Sequence, residues 1–63
     1  MNVDRHVEPP KPVEVRYRGV WVSGHLAAWR KERDRWLGFV ELQILRGGQW
    51  FDQDDIRPRC RFA

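Results

Sequence analysis

The sequence predicts a single all-β domain of five strands, on three observations. Val13-Glu14-Val15-Arg16-Tyr17 alternates apolar and polar residues with the period of two that marks a half-buried strand. Trp36, Gly38, Val40, Leu42 and Ile44 repeat that alternation over a longer run, with Leu37, Phe39, Glu41 and Gln43 on the opposite face. Gly47-Gly48 then supplies two residues free to take the positive φ of a tight hairpin turn.

Taken in chain order, residues 1–12 read as a flexible leader, because Pro9, Pro10 and Pro12 favour an extended polyproline path and apolar residues are few. The domain is then residues 13–62. A first strand fits Val13 to Tyr17, and Arg18-Gly19 marks a turn. A second fits Val20 to Lys31, with Gly24 inside it as a bulge or bend. Glu32 to Arg35 reads as a polar loop, Trp36 to Ile44 as the third strand and Gln49 to Asp52 as the fourth. Gln53 to Ile56 fits a single helical turn with Asp52 as its N-cap. Arg57 to Phe62 fits a last edge strand, where Pro58 is tolerated because its missing donor faces solvent. The alternation places Val15, Leu26, Val40, Leu42 and Ile56 in the core. One segment has a rival reading. Leu26, Trp29, Arg33, Trp36, Leu37 and Val40 recur at helical spacing, and Ser23 and Gly38 suit the two ends of such a helix.

Composition narrows the function. A chain of 63 residues makes one domain. A domain this small buries only about 60% of the surface its unfolded chain exposes, so most of the eight aromatic residues are needed for the core. Cys60 is the only cysteine, and with His6 and His25 it shows no metal-ligand spacing, so neither a disulfide nor a metal nor a cofactor is expected. An unpaired cysteine and the absence of a membrane-length apolar run suit a cytoplasmic protein that does not engage a membrane. Twelve basic residues face nine acidic ones, for a net charge of +3. Residues 13–36 carry all of it: Arg16, Arg18, Arg30, Lys31, Arg33 and Arg35 against Glu14, Glu32 and Asp34. Such a basic stretch suits an anionic partner.

The order of these features resembles a known fold family. Val13-x-Val15-x-Tyr17 followed by Gly19-x-Trp21-x-x-Gly24-x-Leu26-x-x-Trp29 looks like the opening of SH3-like barrels of the Tudor kind. Trp36-x-Gly38-x-Val40-x-Leu42 looks like their third strand. Trp50-Phe51-x-x-x-Asp55-Ile56-Arg57-Pro58 resembles their closing strand, turn and strand. The same Trp/Gly spacing and Arg-Pro ending resemble small uncharacterised actinobacterial proteins. The resemblance runs from Val13 to Pro58. It implies a five-stranded, strongly bent SH3-like barrel in place of the helix, and a binding fold more than any one activity. Tudor domains hold methylated lysine or arginine in an aromatic cage, which here points to Trp21 and to Trp50 or Phe51 as a candidate aromatic surface. Where those domains have an aromatic-rich hairpin, this chain has Leu45-Arg46-Gly47-Gly48-Gln49. Type II dihydrofolate reductases share the barrel and a similar strand, matched by Trp21, Gly24, Leu26 and Trp29. Their Val-Gln-Ile-Tyr motif is replaced here by Gln49-Trp50-Phe51-Asp52, which makes an oligomeric reductase of that type a remote alternative.

Weighed residue by residue, the chemistry points away from catalysis. Ser23 and His25 share a strand face but lack a nucleophile elbow. Asp52, Asp54 and Asp55 lack the glycine and glutamate of a calcium loop and read as a capped turn. The run Trp29-Arg30-Lys31-Glu32-Arg33-Asp34-Arg35-Trp36 is the strongest candidate, since aromatic and basic side chains together suit base stacking and phosphate contact. The expectation is therefore a non-enzymatic module binding DNA or RNA weakly and without sequence preference. Arg30, Lys31, Arg33 and Arg35 would contact phosphates and Trp29 or Trp36 would offer a stacking surface. Docking of a protein partner through an acidic or extended segment is the alternative, since the acidic loop of ordinary proline-binding SH3 domains is basic here.

Overall fold

A computed structural model describes residues 3–44 and 46–59. They form five antiparallel strands: β1 (Arg5–Tyr17), β2 (Val20–Glu32), β3 (Arg35–Leu42), β4 (Gly48–Asp52) and β5 (Ile56–Pro58). One 3-10 turn, Gln53–Asp55, precedes the last strand, and the sheet runs in the order β4-β3-β2-β1-β5. The sheet curls into a half-barrel compatible with an SH3-like fold. Its concave face holds the core of Val13, Val15, Leu26, Val40, Leu42 and Phe51. Val15 of β1 and Val40 of β3 are 0% exposed. Burying a side chain of this size fully contributes about 1.5–3 kcal/mol.

The helical alternative is overturned: its residues are the two arms of a hairpin. Leu26 pairs with Val40 and Ala28 with Phe39, so Ala27 is an extra residue on β2. That bulge puts Leu26 and Trp29, three apart, on the same concave face, because one inserted residue flips the parity of the strand. The apparent helical spacing is the signature of this bulge. The loop expected over Glu32 to Arg35 is shorter: Glu32 pairs with Arg35, and the turn is Arg33-Asp34, with Arg33 in the left-handed region at φ 59°.

Three boundaries also differ from the sequence reading. Arg5–Pro12, expected to be a flexible leader, extends β1: Arg5 pairs with Trp29 and Lys11 with Leu26. The prolines fit because Pro9 and Pro10 fall in a register gap between His6 and Lys11, where the ladder needs no donor. The third strand stops at Leu42, and Ile44, expected on its buried face, lies in a turn and is 61% exposed. Its last strand is only Ile56–Pro58; Arg59 follows it outside any element, and the continuation expected over residues 60–62 lies outside the described residues. Ile56 is half-buried against the core rather than within it. Asp52 does cap the turn, its carboxylate accepting from the Asp54 backbone N–H at 2.9 Å. Among the described residues no helix is long and apolar enough to cross a membrane.

Candidate nucleic-acid interface

The register sorts the predicted binding residues onto two faces of the sheet. Trp29 pairs with Gly38 and Lys31 with Trp36, and these four share the concave side with Val40 and Leu26. Arg30 pairs with Leu37 and Glu32 with Arg35, which places both arginines on the convex side. A period-two strand forces this split: neighbouring residues in Trp29-Arg30-Lys31 cannot reach the same surface.

On the convex face the arginines are engaged within the chain. The Arg30 guanidinium lies 4.7 Å from the ring centroid of Trp50 and 3.1 Å from the Glu32 carboxylate, and its Nε is buried without a hydrogen-bond partner among the described residues. Arg35 donates a two-pronged pair of hydrogen bonds to the Asp52 carboxylate and a third, at 3.1 Å, to Asp54. That fork, followed by the Asp54 backbone N–H, holds the Asp52 carboxyl below the usual aspartate range. The same hydrogen bonds push the Arg35 guanidinium further above its ordinary value. A phosphate would have to compete with these carboxylates for Arg30 and Arg35. Arg33 stands exposed at the tip of the β2–β3 turn.

On the concave face, Trp29 and Trp36 meet edge to face, with ring centroids 6.4 Å apart and planes at 86°. Together with Arg5 and Gln53 they line an open depression of about 400 Å³ at one end of the half-barrel. The Lys31 ammonium sits 5.8 Å from the Trp36 ring centroid. Two hydrogen bonds set this mouth. The Asp4 backbone N–H donates to the Trp29 carbonyl at 3.0 Å, and the Lys31 backbone N–H donates to the Asp4 carboxylate, so β1 is tied down beside Arg5. Gln53 Oε1 accepts from the Trp36 backbone N–H at 3.0 Å, joining the 3-10 turn to the site.

The three residues proposed as an aromatic surface do not come together. Phe51 is in the core at 8% exposure. Trp50 packs on the convex face against Phe39, with centroids 5.1 Å apart. Trp21 stands opposite Arg16 near the start of β2, and Arg57 covers its ring at 4.0 Å while pairing with Glu14 at 2.8 Å. Arginines of the chain itself therefore occupy the faces of Trp21 and Trp50 that a cage would offer to a ligand.

Sequence reasoning missed Arg5, Asp4 and Gln53 as parts of the site. No apolar–polar alternation marks Arg5-His6-Val7, and the prolines that follow point away from a strand. Among the described residues no three His, Cys, Asp or Glu side chains gather as a metal site would require. No protein-family model matches the chain, and no curated protein or solved structure is significantly similar to it.

Proposed function

We propose that this domain is a non-enzymatic module that binds nucleic acid weakly and without sequence preference, at the concave end of the half-barrel. One observation carries the reading: two tryptophans at 86° line an open depression that also holds Arg5, with Lys31 against one of the rings. A ligand suited to it offers a flat π face and a negative charge together, and a nucleotide has both. The same charges disfavour a methyl-lysine ligand. An aromatic cage attracts a cation, but the charged side chain lining this depression is Arg5, and the Asp4 carboxylate beside it is engaged by the Lys31 backbone N–H. Arg5 and Lys31 replace Arg30 and Arg35 as the phosphate-contacting pair in this reading, with Arg33 exposed at the turn beyond them.

The test is a titration of tryptophan fluorescence with random-sequence DNA and RNA across a range of salt. Quenching with a dissociation constant of about 1–100 μM at physiological salt, weakening as salt rises, is expected. No quenching by either polymer at low salt, with the fold intact, overturns the proposal.

Docking of an acidic or extended protein segment is the second reading, and a specific observation favours it. Among the described residues β5 pairs with Val13, Glu14 and Val15, and Arg5–Pro12 of β1 has no described β5 partner on that edge. An open groove lined by Val7, Lys11, Pro12 and Leu26 adjoins it. The finer resemblances, to Tudor domains and to small actinobacterial proteins, and a cytoplasmic setting belong to the same proposal; the lone Cys60 supports the last. A reductase of the type II dihydrofolate kind has the least support, since Phe51 of the comparable strand packs into the core.

A further inference from the structure

We infer that the concave site selects single-stranded over duplex nucleic acid, by taking one unstacked base against the Trp29–Trp36 pair while Arg5 and Lys31 hold the adjoining phosphates. The inference rests on the nucleic-acid reading and narrows it to a substrate class. Its first ground is the shape of the surface. The two rings line an open depression on the concave side of a curled sheet, on paired strands and not on a projecting loop. A duplex presents a convex ridge of phosphates and keeps its base faces stacked on one another, so it has no π face to offer a recessed tryptophan. An unpaired base does, and every base has one, which makes such contact tolerant of sequence.

The second ground is the distribution of charge. Binding along a duplex backbone draws on several cations spread over one surface. Here the basic run is divided by strand parity, and the arginines on the convex side are already committed: Arg30 to Glu32 and Trp50, Arg35 to Asp52 and Asp54. The concave mouth retains Arg5 and Lys31, enough for the phosphates on either side of one nucleotide.

The third ground is how the rings are held. Trp29 is packed against the core, and the Trp36 ring meets it edge to face from a backbone whose N–H is held by Gln53. Both are in place before a ligand arrives, so little ordering cost falls on binding. Their perpendicular planes allow a base to lie flat on one ring with its edge against the other.

The experiment titrates tryptophan fluorescence of the whole chain with an oligothymidylate, an oligouridylate and a mixed-sequence duplex of matched length at low salt. Tighter binding of the single strands by about tenfold or more is expected, with Trp36→Ala removing that preference and Trp36→Phe restoring part of it. Trp36 lies outside the core cluster, so the alanine variant tests the ring without removing a core residue. A duplex bound as tightly as the oligothymidylate, or a preference that survives Trp36→Ala, overturns the inference and leaves the broader reading in place. Binding to none of the three probes by a folded protein overturns both.

Discussion

Gly38 stands directly opposite Trp29 across the β2–β3 ladder, and the space a side chain would need there is already filled. A Cβ at Gly38 would fall 2.6 Å from Ile56 Cδ1, 2.9 Å from Leu26 Cδ1 and 3.2 Å from Trp29 Cζ3. The absent side chain is what lets the tryptophan ring lie close over the sheet, where it lines the site. Gly38→Ala should therefore destabilise the fold by about 1–3 kcal/mol through overpacking. It should also move Trp29, so that ligand-induced quenching falls with it. Urea denaturation followed by fluorescence measures the first effect. A denaturation midpoint equal to that of the parent chain contradicts the packing described here.

Leu42 tests the register of β3. It pairs with Gly24 at 4% exposure and closes the core away from the tryptophan site. Leu42→Ala should cost about 2–5 kcal/mol, a large part of the stability of a domain this small. Cooperative unfolding at a nearly unchanged midpoint would mean that Leu42 does not face the core.

Much of this fold is legible in the sequence, and the exceptions have identifiable causes. Alternation located β3 and the inner half of β1, because one face of each is apolar and the other polar. From the sequence Gly24 reads as a bulge or bend; what needs a glycine there is close approach, since a Cβ would fall 2.7 Å from Val40 Cγ1 and 2.8 Å from the Glu41 carbonyl oxygen. The outer half of β1 was hidden by its prolines, whose fit depends on a register gap that only pairing with β2 reveals. The site was partly legible. Trp29, Lys31 and Trp36 stood out as aromatic and basic residues in one run, but the face each occupies turns on the bulge at Ala27. The local trace of that bulge, the three-residue spacing of Leu26 and Trp29, reads equally as a helix, and without the bulge Arg30 rather than Trp29 would share the concave face with Leu26.

Asp52 and Arg35 set an acid limit on stability. The arginine fork holds the Asp52 carboxyl below the ordinary aspartate value of 3.8. A carboxyl whose folded value is depressed contributes stability that is fully present above its unfolded value and is lost as pH falls through the folded one. The folded protein should therefore lose stability as pH drops below about 4. Asp52→Asn should flatten that part of the profile while keeping an acceptor for the Asp54 backbone N–H. Both groups are solvent-accessible, so the effect is small and weakens with added salt. Thermal midpoints of the two proteins from neutral to acid pH measure it. Parallel profiles would show that this pair carries no acid dependence.

The division of the basic run between two faces gives the sharpest functional prediction. If Arg5 and Lys31 neutralise about two phosphates of a single strand, log K should fall against log salt with a slope of about −1.4. Replacing both with Gln should flatten the slope by about that amount, leaving the weak contribution of stacking. Arg30→Gln lies three positions from the turn in the same run but on the convex face, beneath Glu32 and against Trp50. It should leave the slope unchanged. Fluorescence titrations at several salt concentrations separate the two, provided circular dichroism shows each variant folded. A slope that responds to Arg30→Gln and not to the concave pair would place the nucleic acid on the opposite side of the sheet.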